Sequence, residues 1–297
     1  MNFDHIYILG AGAIGSIFGA FLSQKNQVTL IGRARHMKAI NSNRLKVVGD
    51  RAGTYSPATS TAITEIPPNT LLMVCVKAYD LRESLEAIRS LIRKDTVVLL
   101  LQNGLGVEGI AKSAINGAGK IRRGIVGFGA EIQNPGQVQV SWNVTILDND
   151  SISKQIAKTF ESSQLAVLVS EQFQTDVWRK VMINCITNPL SAILRVQTAE
   201  LVSPQLRPVI QAIVNECIEV GAAEGVELDS GILQLLEHQL PRYSNRTSMF
   251  QDILHGRKTE IGFLNGKIAE LGETHNILTP VNASLAGIVR FMEGRHT

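Results

Sequence analysis

Four stretches of the chain concentrate residues that could hold or move charge. Gly10-Ala11-Gly12-Ala13-Ile14-Gly15 is a complete G-x-G-x-x-G. Val76-Lys77-Ala78-Tyr79-Asp80 and Gln102-Asn103-Gly104 each place a cation or an amide directly after an apolar run. Farther on, the segment from Trp178 to Pro189 spaces Lys180, Asn184 and Asn188 four residues apart, which lines all three on one face of a helix. The rest of that segment is mostly Val, Met, Ile and Cys, and an amide buried there without a partner costs about 2–7 kcal/mol. Two readings fit: a polar stripe that faces water, or a cleft wall offering one cation and two amides to a polar small molecule. Ser248 and Glu260 complete the set, although a serine near a helix start is commonly a cap and a glutamate there is favoured by the helix dipole.

The glycine turn gains meaning from its place. It follows an apolar strand, Ile6 to Leu9, and opens an apolar helical stretch reaching Gln24, read as amphipathic. Gly10 would permit a tight turn, Gly12 would let backbone approach a pyrophosphate, and Gly15 would allow close strand–helix packing, with Ala11, Ala13 and Ile14 completing the cradle. The helix N-terminus offers N–H groups and a positive dipole end to phosphate. A glycine turn in a sheet protein with no nucleotide is the alternative. The end of the second strand, Val28 to Ile31, bears on which nucleotide. An acidic residue there would accept from ribose hydroxyls, but the chain reads Gly32-Arg33-Ala34-Arg35. A guanidinium suits a 2′-phosphate, so Arg33 favours NADPH over NADH, against the alternative of solvated arginines.

These groups need a scaffold, and the hydrophobic pattern supplies one. Further strands are expected at Leu71 to Val76, Thr96 to Leu101 and Leu165 to Val169, with helices at Leu81 to Ile92 and Ile152 to Phe160. Such alternation indicates βαβ units and a mainly parallel sheet. Between Ile121 and Leu147 the Asn134-Pro135-Gly136 turn and the alternation of Val138, Val140 and Trp142 suggest a hairpin that closes this sheet. Beyond Gln172 the pattern becomes helical, including Leu206 to Ala223, Glu260 to Leu271 and a last helix opened by Pro280. The expected fold is α/β: a Rossmann-type dinucleotide domain over residues 1–170 and an all-helical substrate domain over 171–297.

Composition narrows the partners. The chain has 297 residues, 44 % of them hydrophobic, and a net charge of only +3, which gives no footprint for nucleic acid or a polybasic membrane surface. A mild positive field would still suit a small anionic substrate. Cys75, Cys185 and Cys217 stand in apolar runs without metal-ligand spacing and read as reduced thiols. The six histidines, His275 and His296 among them, show no ligand spacing either, so no metal is expected. The first residues resemble the start of a strand rather than a signal peptide, and no apolar run is long enough to span a bilayer, so the expected compartment is the cytoplasm. The long helices could bury a homodimer interface or complete a monomer's core.

Taken together, GAGAIG, VKAYD, QNGLG, the NPGQV turn, WRKVMINCITNPL and SMFQDILHGRKTEIGFLNG resemble the ketopantoate reductase (2-dehydropantoate 2-reductase) family, in its order and approximate spacing over essentially the whole chain. The resemblance implies NADPH-dependent reduction of 2-dehydropantoate to (R)-pantoate, on the way to pantothenate. It also implies roles position by position. Lys180 stands where the family has its general acid, and Glu260 where a glutamate orders the active site beside cofactor and substrate. Asn103 matches a residue at the junction of nicotinamide and substrate, Lys77 one beside the cofactor, and Ala130 a backbone contact to the cofactor. Asn184, Asn188 and Ser248 match substrate-binding positions. There is one departure. Where some members have Asn-Gly shortly after Asn-Pro-Leu, this chain has Thr198-Ala199, so a single hydroxyl replaces a two-ended amide at a substrate position. Two other readings remain open: a reductase of the same fold acting on a different small 2-oxo acid, and a non-catalytic NADP-binding sensor. Burial would lower the pKa of Lys180 and a nearby Glu260 would raise it; the sequence leaves the balance open.

Overall fold

A computed structural model describes residues 3–141, 144–229, 231–240 and 246–295; Trp142 and His296 lie outside them. The chain forms two compact units. The first comprises the residues up to Gln102 together with Val107–Phe173, and the second comprises Asn103–Gly106 and the chain from Gln174 onward.

The first unit begins with β1 (His5–Leu9), α1 (Ala13–Leu22), β2 (Val28–Ile31), α2 (Ala34–Asn43), β3 (Leu45–Gly49), β4 (Gly53–Tyr55) and β5 (Ala58–Ser60). It continues with β6 (Thr70–Val74), α3 (Leu81–Glu86), β7 (Val97–Leu100), α4 (Val107–Ile115) and β8 (Lys120–Val126). The last elements are β9 (Gly129–Asn134), β10 (Gln137–Ser141), β11 (Thr145–Asp148), α5 (Ser151–Ser162) and β12 (Val167–Ser170). Eight strands make one sheet in the order β12-β11-β8-β7-β6-β1-β2-β5. Every neighbouring pair is parallel except β8 with β11. Every residue of β6 and β7 is buried, which is why both read as unbroken apolar runs. Strand order reverses at β1, so a crevice opens outside the carboxyl ends of β1 and β6, the usual place for a ligand in such sheets.

Four strands form a second sheet, β4-β3-β10-β9. The hairpin expected to close the main sheet, β9 with β10, belongs here instead, and the main sheet is extended by β8 and β11. Period-two alternation marks a half-buried strand but carries no information about which sheet it joins. This second sheet packs on α1. The helix is consequently buried from Gly15 through Leu22 rather than amphipathic, since a helix covered on both sides has no wet face. Phe18 anchors it, with its ring centroid 5.4 Å from Phe128 and 5.3 Å from Phe160. His36 on α2 ties the two layers. The Gly136 amide donates to its Nδ1 at 3.1 Å, so Nε2 carries the proton and donates to Ser16 Oγ, also at 3.1 Å. Burial lowers the His36 pKa, in keeping with this neutral form.

The second unit holds α6 (Phe173–Leu194), α7 (Arg207–Ala223), α8 (Ile232–Gln239), α9 (Ser248–Leu254), α10 (Asn265–His275) and α11 (Pro280–Met292). Helix α6 is buried from Val181 through Ala192 except at Ile183. Pro280 opens α11 as expected. The helix anticipated from Glu260 begins five residues later, because Leu264 leaves helical geometry at φ −109° and ψ −110°, and only a 3₁₀ turn, Ile261–Phe263, precedes it. Among the described residues no helix is long and apolar enough to cross a membrane, and no group of His, Cys, Asp and Glu could hold a metal ion.

Candidate active site

The glycine turn sits at the carboxyl end of β1. Gly10 takes φ +105°, and a Cβ there would lie 2.6 Å from the Val76 amide nitrogen. A Cβ on Gly15 would collide with the Gly10 carbonyl oxygen, so Gly15 is what lets α1 start against the strand end. Gly12 differs: a Cβ there would meet no atom within 4 Å. It is the residue before the first turn of α1, which carries neither an acidic residue nor a side-chain cap. A bare helix N-terminus fronted by an open glycine fits a dinucleotide pyrophosphate. Ala11 is buried, while Ala13 and Ile14 are half-buried at the head of the helix.

Two further positions in this unit follow strand ends. Arg33 precedes the first residue of α2, exposed, and makes no ion pair among the described residues; α2 has no acid in its first turn. Lys77 lies just beyond β6, half-buried, at the start of a 3₁₀ turn, Ala78–Asp80. Gln102, two residues beyond β7, donates Nε2 to the Val74 and Val76 carbonyls at 2.9 and 3.1 Å and so pins the ends of β6 and β7 together. Its buried Oε1 has no partner. Nothing in the local pattern distinguished this glutamine from its neighbour Asn103. Ala130 lies on β9, opposite Val140, and packs against the core.

In the second unit the polar stripe is not a wet face. Asn184 and Asn188 are only 7 % and 6 % exposed, and Lys180 is half-buried. Asn184 donates to Asn103 Oδ1 at 3.4 Å, a long bond that leaves the Asn103 amide nitrogen available. Among the described residues neither the Lys180 ammonium nor the Asn188 amide has a partner. Of the two influences expected on Lys180, burial prevails: desolvation draws its pKa below the ordinary lysine value. Thr187, on the same helix, bonds back to the Ile183 carbonyl at 2.9 Å.

Three contacts organise the rest of this unit around α6. Leu105 N donates to the Phe263 carbonyl at 2.9 Å, which fixes the loop bearing Asn103 to the segment bearing Glu260. Glu260 is buried, at the head of the 3₁₀ turn. Pro189, inside α6, has no N–H for the Cys185 carbonyl, and a buried carbonyl left so costs about 1–3 kcal/mol. Asn265 supplies that bond at 2.9 Å. Near the other end, Ser191 Oγ meets Thr247 Oγ1 at 2.6 Å, and Thr247 caps α9 by accepting from Phe250 N. The cap of α9 is therefore Thr247, and Ser248 is left exposed in the first turn. Thr198 is buried at the start of a 3₁₀ turn, Thr198–Leu201, which Gln197 and Glu200 close as a capping box. Sequence reasoning missed Asn265 and Thr247. Pro189 was the available signal for Asn265, since a proline in a buried helix implies a donor elsewhere.

Known proteins match over the same span. The family described as ketopantoate reductase PanE/ApbA matches residues 6–147, and its C-terminal counterpart matches residues 172–293. The 2-dehydropantoate 2-reductase of Pyrococcus abyssi (strain GE5 / Orsay) is 33 % identical, with 97 % of each chain covered. Among solved structures, a PanE/ApbA family ketopantoate reductase from Ralstonia eutropha JMP134 superposes with a TM-score of 0.90 at 27 % identity, covering 97 % of this chain and 98 % of that one. A D-mandelate dehydrogenase solved with NADH and anilino(oxo)acetate superposes with a TM-score of 0.88 at 30 % identity and the same coverage. With an α/β unit and a helical unit each matched along nearly their whole length, this chain belongs to the ketopantoate reductase family.

Proposed function

We propose that the chain reduces 2-dehydropantoate to (R)-pantoate with NADPH, the first unit binding the cofactor and the helical unit the substrate. The observation that carries this reading is Lys180: a half-buried ammonium with a lowered pKa and no described partner, on the same helix face as two buried amides. When bound, NADPH supplies the hydride that reduces the ketone carbon. Lys180 donates its proton to the carbonyl oxygen as negative charge builds there, and is reprotonated from water in the next cycle. Its lowered pKa brings it nearer to the range in which a proton donor works well. Asn184 and Asn188 orient the substrate through hydrogen bonds that need no rearrangement, because α6 is buried around them. Asn103 stands where nicotinamide and substrate meet, and Ser248 and Thr198 address the substrate's other end. Glu260 orders the site, and Lys77 and Ala130 contact the cofactor. Gly10 to Gly15 would hold the pyrophosphate, and Arg33 the 2′-phosphate that distinguishes NADPH.

A second reading rests on Thr198. Its single hydroxyl, where some relatives place an asparagine, suits a 2-oxo acid that lacks pantoate's terminal hydroxyl. The similarity to a D-mandelate dehydrogenase, solved with NADH and anilino(oxo)acetate, supports such a variant. NADPH oxidation followed by absorbance, with 2-dehydropantoate and a panel of other 2-oxo acids, separates the two by kcat/KM. In the same assay Lys180→Ala should lose about 10²–10⁴-fold in turnover. Near-wild-type turnover in that variant would remove Lys180 from the role. Tight NADPH binding without oxidation of any panel member would instead identify a sensor.

A further inference from the structure

Helix α6 carries Lys180, Asn184 and Asn188 and also contains Pro189, whose ring removes one backbone hydrogen bond and presses on the carbonyl four residues earlier. That carbonyl belongs to Cys185, in the turn between the two asparagines. Asn265, the first residue of α10 and fully buried, donates Nδ2 to it at 2.9 Å. The same nitrogen donates to Asn282 Oδ1 at 2.9 Å. Asn282 in turn gives Nδ2 to Glu216 Oε2 at 2.6 Å, and the Glu216 carboxylate also accepts the Val281 and Asn282 amides at 2.8 and 2.9 Å. A buried chain of side chains thus runs from a carboxylate on α7, through α11 and α10, to the interrupted turn of α6. Its direction is fixed: Asn265 spends both its donors, and its Oδ1 is buried without a partner. Asn265 also ends the segment that begins at Glu260, so one amide joins the helix bearing Lys180 to the turn bearing Glu260.

We propose that Asn265 is a positioning residue: it replaces the backbone donor that Pro189 removes and thereby holds the Asn184–Asn188 turn, and Lys180 one turn before it, in productive register. The proposal rests on the reading of Lys180 as proton donor. A displacement of about 1 Å can cost on the order of 10²-fold in turnover. Asn265→Asp keeps the shape but replaces the donor with a second acceptor facing the Cys185 carbonyl, and Asn265→Ala removes the side chain's polar atoms altogether. The decisive variant is Asn265→Ala combined with Pro189→Ala, in which α6 can again make its own bond to Cys185.

The test measures kcat with NADPH and 2-dehydropantoate per folded enzyme, KM for NADPH, and melting temperature, with Lys180→Ala alongside. The expected result is about a 10- to 100-fold loss of kcat in Asn265→Ala, with KM for NADPH unchanged within about twofold. Adding Pro189→Ala should recover most of that loss, and Pro189→Ala alone should run near wild type. If Asn265→Ala folds and turns over normally while Lys180→Ala is slow, the positioning role is overturned and the proton donor stands. If Lys180→Ala turns over normally, the proton-donor reading falls and this one with it. If Asn265→Ala does not fold, the double variant decides: a folded, active protein supports the substitution of one donor for another. A double variant that is unfolded, or folded and no faster than Lys180→Ala, overturns it.

Discussion

Gly12→Ala separates a nucleotide cradle from a glycine turn kept only for packing. The backbone at Gly12 is extended, φ −76° and ψ −163°, which alanine adopts without strain. Its new methyl would meet no protein atom within 4 Å. Two small effects then act on the unbound protein in opposite directions: alanine loses less chain entropy on folding but is a poorer residue at a helix start, each about 1 kcal/mol. Melting temperature should therefore move by a few degrees at most. The methyl nevertheless sits at the residue that opens the bare N-terminus of α1, where on the proposed reading a pyrophosphate would approach the backbone. Loss of one N–H bond to a charged phosphate costs about 1.5–3 kcal/mol. At 1.4 kcal/mol per tenfold, the Kd for NADPH should rise roughly 10- to 150-fold. Titration by nicotinamide fluorescence, beside a thermal melt without cofactor, reads both quantities. Gly15→Ala is the control, because its methyl collides with the Gly10 carbonyl and should lower the melting temperature outright. If Gly12→Ala binds NADPH within about twofold of wild type while folding normally, the turn does not cradle phosphate and the cofactor assignment fails.

Two other outcomes follow from the same site. A proton donor must be protonated, so kcat should fall as pH rises through the Lys180 pKa; because burial lowers that pKa, the fall should come below the ordinary lysine range near about 10.4. In Lys180→Arg, which stays charged, this basic limb should disappear, and a wild-type profile flat to about pH 10 would exclude the lysine as the titrating acid. Arg33→Ala should weaken NADPH by about 10- to 100-fold, the worth of a charge-assisted phosphate contact, and leave NADH within about twofold. Equal weakening of both, measured by paired titrations, would remove the 2′-phosphate from Arg33.

The parallel sheet was legible because its strands announce themselves. Val28–Ile31 matches the strand read from the sequence, and the buried runs of β6 and β7 lie within one or two residues of where hydrophobicity put them. The second sheet was not legible. Its edge strand β4 is three residues long and has no fully buried position, so it carries no periodic signal. The helix after Lys77 ends at Glu86 rather than Ile92, since apolar spacing continues through a 3₁₀ turn, Arg89–Leu91, that shares its periodicity too closely to be told apart. At the site, residue types showed that Lys180, Asn184 and Asn188 share a face, but whether that face met water depended on partners distant in sequence. The structure decides for burial, at 7 % and 6 % exposure for the two amides. Asn265 stayed hidden because an asparagine at a helix start looks the same whether it caps its own helix or serves another.

The second sheet over α1 also orders events in time. It is stitched from segments far apart in the chain: Val47 of β3 pairs with Val138 of β10. Closing so long a loop has to precede any reward from the contacts it brings together, so this cover is expected to form late in folding. Until it does, the apolar outer side of α1 stays wet and the helix head that would receive phosphate is not held. A dinucleotide bound at that head would then recognise only the finished unit, and by mass action it would stabilise that unit without hastening the steps that build it.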